Sequence, residues 1–136
     1  MRRWQAVVSL LSGLLIVGAA FAHALAGWPQ LQAALRSAGA PEDLVRGLAI
    51  GWYWGSTSMF AMGLIAILTG RSGLRSGRAS RTSIGVVSLA FALFGVMAFL
   101  GAGLAPHFLL FVFLGLMLGI AALPLRSEDD RPSKTG

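Results

Sequence analysis

The chain has two histidines, His23 and His107, and no cysteine. Imidazoles are the residues here whose type suits chemistry in an apolar setting. They ligate haem iron, hold metals, and hydrogen-bond polar head groups such as a quinone's. The two are far apart in sequence. His23 closes one apolar run and His107 opens another, so both are expected at one depth and facing one pocket. Trp52, Tyr53 and Trp54 fall at about the same level. They stand as companion candidates for cofactor contact. The competing explanation is plain. Histidine suits a membrane–water interface, and the aromatics match an ordinary aromatic belt. Two histidines with no carboxylate or thiolate support also make a thin metal set, so no metal site is expected.

The elements that must position these residues are apolar. Hydrophobic residues make up 56% of the 136 residues and charged ones only 12%. A soluble domain carries about 25% charged residues, so lipid is the expected solvent. The expectation is an all-α integral membrane fold, an antiparallel up-and-down bundle of four transmembrane helices. Their expected spans are about residues 4–25, 41–69, 82–101 and 106–123, within one domain of residues 1–125. A short interfacial helix is expected between the first two, opened by Pro29 and ended by Gly39. Glu42 and Asp43 suit the first turn of the second span, at the positive end of its dipole. Arg71–Ser72–Gly73 and Arg75–Ser76–Gly77 read as flexible loop. Residues 126–136 read as a disordered cytoplasmic tail. The basic start and the apolar stretch 6–21 also resemble a signal peptide. At about 16 residues the stretch exceeds the usual length, so an uncleaved helix is expected.

Charge orients the chain. With the N-terminus inside, Arg2, Arg3, Arg71, Arg75, Arg78, Arg81, Arg126, Arg131 and Lys134 fall on the cytoplasmic side, and only Arg36 and Arg46 on the other. That distribution obeys the positive-inside rule. Arg71, Arg75, Arg78 and Arg81 are expected at the membrane surface against anionic head groups. They lack interleaved aromatics, so nucleic acid is not an expected partner. Membrane lipids are, together with a second copy or another membrane protein. Arginine far exceeds lysine, and Ala and Gly are frequent, which suits a bacterial inner membrane. Small residues let helices approach closely where lipid supplies no hydrophobic drive. Gly47, Gly51, Gly55 and Gly63 form the expected packing stripe of the second helix, and Gly115 and Gly119 that of the fourth.

No Asp, Glu, Lys or Arg is expected between the interfaces, where ion-coupled transporters place ionisable groups. The small multidrug resistance exporters have similar length but a carboxylate in their first helix, absent here. No catalytic residues are identified and no cofactor is called for. The stretch FAHALAGWP (21–29), followed by GLAIGWYWGSTSMFAMG (47–63), resembles small four-helix bacterial inner-membrane proteins, some of them called DoxX-like. That resemblance implies an inner-membrane bundle and offers no catalytic residues. The function expected first is a non-enzymatic scaffold, accessory subunit or lipid-contacting protein. A small ligand- or cofactor-binding membrane protein using His23 and His107 comes second, and a homo-oligomeric channel or permease third.

Overall fold

In a computed structural model the described residues, 1–124, form an all-helical protein. α1 spans Arg3–Ala22. A turn of π-helix, His23–Gly27, follows. α2 spans Trp28–Ser37. α3 spans Glu42–Ser76, and α4 spans Arg81–Gly101. A 3-10 turn, Pro106–Phe108, leads into α5, Leu109–Ala122.

Three helical runs are long and apolar enough to cross a membrane. They are Arg3–Ser37, Glu42–Ser76 and Arg81–Gly101, with Pro106–Ala122 a shorter apolar helix. Their outer surfaces carry large apolar side chains, among them Leu15, Ile50, Val86 and Met97, all well exposed. A surface of that kind would aggregate in water and is stable against hydrocarbon.

The short helix expected between the first two spans is present as α2, but no linker separates it from α1. Proline lacks an N–H, and its ring crowds the carbonyl four residues back. The π turn just before Pro29 widens the helix there, so the chain continues instead of breaking. The real break is short, residues 38–41, with Gly39 in the left-handed region at φ +73°.

The second correction concerns the basic segment. α3 continues through Arg71, Ser72, Gly73 and Arg75 to Ser76, where Gly77 (φ +67°) ends it. Arg71 and Arg75 therefore lie on a helix, and Arg78 lies in the short link 77–80. Packing overrides the local turn signal. A Cβ on Gly70 would stand 2.7 Å from the Ala6 carbonyl oxygen, and one on Gly73 would stand 3.0 Å from the Ala6 Cβ. These glycines let the last two turns of α3 lie against the start of α1. Ser80 caps α4 by accepting from the Ser83 N–H at 3.2 Å. The expected tail, with Arg126, Arg131 and Lys134, lies outside the described residues.

Neighbouring helices run antiparallel. α1 packs most extensively on α3, and α4 on α5. The two pairs join through α1 and α5. Gln5, fully buried, accepts from the Arg2 N–H and donates to the carbonyls of Leu123 (3.0 Å) and Ile120 (3.4 Å). It thereby gives a donor to the Leu123 carbonyl beyond the end of α5 and adds to the Leu123 N–H already on the Ile120 carbonyl. Ser9 donates to the Ala66 carbonyl at 2.8 Å, and Ser88 to the Gly115 carbonyl at 2.7 Å. The apolar core runs through Ile16, Met59, Ala66, Ile84, Phe91 and Leu118. α3 and α4 touch only sparsely.

Candidate functional site

A cavity of about 890 Å³ lies between α3 and α4 and extends under the start of α2 and the 3-10 turn. His23 and His107 both line it. The chain elements explain how. His23 opens the π turn, and His107 sits in the 3-10 turn at the head of α5. The antiparallel arrangement puts both turns at the same end of the molecule.

The His23 ring is stacked flat on the Trp52 indole, with centroids 3.9 Å apart and planes inclined by 10°. Trp52 is fixed in turn. Its Nε1–H donates to the His23 carbonyl oxygen at 2.7 Å. The Trp28 N–H, five residues on from His23, donates to the same oxygen. Gly27 makes room for the indole, since a Cβ there would meet Trp52 Cζ2 at 2.8 Å. Trp28 itself is 5% exposed and lies against Trp52 and Tyr53, with centroids 6.1 Å away in each case. It helps to brace the site.

Of the three aromatics singled out in the sequence, only Trp52 lines the cavity. Tyr53 is half exposed, and Trp54 is 73% exposed on the outer surface. Successive helical residues point about 100° apart, so three in a row cannot face one ligand. The aromatic wall comes from Phe91 and Phe94 of α4 and Phe111 of α5. Phe94 meets Phe111 edge-on at 5.0 Å.

The glycine stripe divides. A Cβ on Gly63 would stand 2.8 Å from Val17 Cγ2 and 3.0 Å from the Gly13 carbonyl oxygen. One on Gly115 would stand 2.6 Å from the Ala92 nitrogen, and one on Gly119 would stand 3.0 Å from Ser88 Oγ. Those three sit in close helix contacts. Gly47, Gly51 and Gly55 have nothing within 4 Å of a Cβ position and line the cavity. The geometry is simple. Each step of four residues turns the helix face by about 40°, so Gly63 points about 160° away from Gly47. The four glycines do not share one packing face.

Ser58 is a cavity residue that the sequence did not single out. Ser56 donates to the Trp52 carbonyl (3.0 Å) and Thr57 to the Tyr53 carbonyl (2.9 Å), as hydroxyls in apolar helices usually do. Ser58 makes no hydrogen bond among the described residues, and neither imidazole side chain does. Every deeply buried polar side-chain atom among the described residues has a partner, so these three groups stand at the open side of the cavity. The spacing Gly51, Gly55, Ser58, Met62 is the helical-face signal that could have found Ser58.

The charged side chains near this end are paired with one another. Arg36 bonds Glu42 at 2.9 Å, and Arg46 bonds Asp43. No group of three or more His, Cys, Asp or Glu able to hold a metal occurs among the described residues. The site can therefore hydrogen-bond and stack, and it can enclose an apolar body.

The molecule is an all-helical protein with three helices fit to cross a membrane and an apolar chamber tipped by two imidazoles. No family model matches the chain, and no curated protein or solved structure does either.

Proposed function

We propose that this chain is a non-enzymatic membrane protein that holds a small lipid-soluble molecule between its helices, its polar end at His23 and His107. The observation that carries this reading is the chamber itself. At about 890 Å³ it falls within the range of small-molecule sites, and its lining follows their usual pattern of apolar walls with a few convergent polar groups. Three further features support it. Gly47, Gly51 and Gly55 keep one wall flat, the π turn and Trp52 brace His23, and the side chains of His23, His107 and Ser58 have no hydrogen-bond partner among the described residues. π turns within helices occur often at functional sites.

The test uses the purified full chain in mild detergent. Solvent extraction with mass spectrometry, and an absorption spectrum, should reveal a molecule near one per chain. Gly51→Leu, whose Cβ has nothing within 4 Å and whose side chain would occupy the chamber, should cut occupancy at least tenfold while helical content is retained. An empty wild-type protein, or equal occupancy in the variant, would refute the reading.

The same proposal has the chain cross a bacterial inner membrane four times, with both termini cytoplasmic. Support comes from the distribution of basic residues and from the length of Pro106–Ala122, which meets the lower limit of about 17 residues for a span. The resemblance to small DoxX-like membrane proteins points the same way. The chain has no cysteine, so single cysteines at Ser37 and Ser76 report their sides cleanly. In spheroplasts an impermeant maleimide should label S37C and spare S76C. The reverse pattern would overturn this orientation.

A further inference from the structure

The chamber's shape and its pattern of polar groups narrow the occupant further than the function proposed above, on which this inference rests. We propose that the occupant is an uncharged single-chain amphiphile of the monoacylglycerol class. It enters sideways from the bilayer between α3 and α4, with its glycerol hydroxyls at His23 and His107 and its ester carbonyl at Ser58.

Shape comes first. On α3 the lining runs from Gly47 to Met62, which is about 22 Å of helix. On α4 it runs from Ala90 to Ala102, about 18 Å. A volume of 890 Å³ over that length leaves a mean cross-section of about 40–50 Å². A slot of that section admits a chain with a modest head. The deep end is lined by Met59, Met62, Ala90 and Phe91. Methionine adapts to flexible apolar partners, as an acyl chain requires.

Charge comes second. The four ionised side chains of α2 and the start of α3 cancel in two pairs, Arg36–Glu42 and Arg46–Asp43. No unpaired carboxylate or guanidinium lines the chamber, so none selects a charged head. A neutral imidazole offers one donor and one acceptor, and a hydroxyl offers both in return. Burying a carboxylate or phosphate there would cost far more than burying a glycerol.

Ser58 supplies the third point. It lies six residues along α3 from Trp52, about 9 Å deeper, and its hydroxyl is unused while its neighbours' hydroxyls are bonded to the backbone. With hydrogen bonds of about 3 Å at each end, the stretch from a glycerol hydroxyl to the ester carbonyl spans that gap. Entry follows from packing. α3 and α4 pack far more sparsely than α1 on α3 or α4 on α5, so they can part most easily.

The experiment measures tritiated monoolein on the full chain in detergent micelles, with oleate and the ether analogue 1-O-octadecenylglycerol as competitors. Saturable binding near one per chain is expected, with oleate competing at least tenfold less well. Ser58→Ala should weaken monoolein about fivefold and leave the ether, which has no carbonyl, unchanged. Oleate competing equally, or equal losses for ester and ether in Ser58→Ala, would overturn the assignment of head and carbonyl. So would a failure of monoolein to bind a chain that carries a different co-purified molecule, and the chamber reading would then survive. Failure of Gly51→Leu to change any binding would sink the chamber reading itself.

Discussion

The two ends of this helical protein use the same residue type for opposite purposes. At the end that holds Met1, the 77–80 link and the close of α5, the helices are in direct contact. Gly70 and Gly73 on α3 admit the start of α1, and Gln5 ties α1 to the last turn of α5. Further along, Gly63 faces α1, and Gly115 lies against the α4 backbone. At the histidine end, Gly47, Gly51 and Gly55 have nothing within 4 Å of a Cβ position, and the space between them and α4 is the chamber. A missing side chain draws helices together only where the partner is already held close by other contacts. Where α3 and α4 diverge, it leaves a void. One end is therefore closely packed, and the other leaves the space that the proposed binding would use.

Substitutions should separate the two ends. The largest effect is expected for Gly115→Leu, whose Cβ would stand 2.6 Å from the Ala92 nitrogen, a backbone atom that cannot swing aside. Overpacking of this kind costs about 1–3 kcal/mol or more, and unfolding in detergent should register a loss at the upper part of that range. Gln5→Leu comes next. It removes the side-chain donor from the Leu123 carbonyl and the weaker bond to the Ile120 carbonyl, which keeps the Leu123 N–H, and should cost about 1–3 kcal/mol. A smaller loss of about 1 kcal/mol is expected for Trp52→Phe, which keeps the stack on His23 but removes the bond to its carbonyl. Because that bond braces the chamber, ligand occupancy should fall in this variant more than stability does. Gly51→Ala should go the other way. It meets nothing within 4 Å, and replacing a helical glycine by alanine stabilises by about 0.4–1 kcal/mol. If Gly51→Ala destabilised as Gly115→Leu does, the contrast between the ends would be wrong.

Much of the helix layout was legible in the sequence. α4 was expected at 82–101 and is found at Arg81–Gly101. The Pro106 start and the acidic first turn of α3 were readable from proline and dipole chemistry. The errors have particular causes. Arg71–Ser72–Gly73 carries a loop composition, yet it is helical because Gly70 and Gly73 are held against Ala6. Pro29 reads as the start of a new helix, but a single π turn absorbs it. The site was legible in part. His23, His107 and Trp52 line the chamber, while Tyr53 and Trp54 turn away from it. Ser58 looked like any serine able to bond back to its own helix, and only its place on the face of Gly51, Gly55 and Met62 separates it from Ser56.

The sequence by itself determined the helical, apolar character of the chain, the approximate ends of its helices and the lopsided distribution of its basic residues. Those properties are local. In an apolar setting each backbone N–H must be bonded within its own helix, and prolines, glycines and charges act within a turn or two of where they stand. Tertiary structure alone decided which glycines make contacts and which border a void, that Trp28 is buried, and that the Ser58 hydroxyl has no partner among the described residues. Those depend on how each helix is rotated about its axis and which neighbour it meets, and these are set by contacts between residues dozens of positions apart, such as Gln5 with Leu123 and His23 with Trp52.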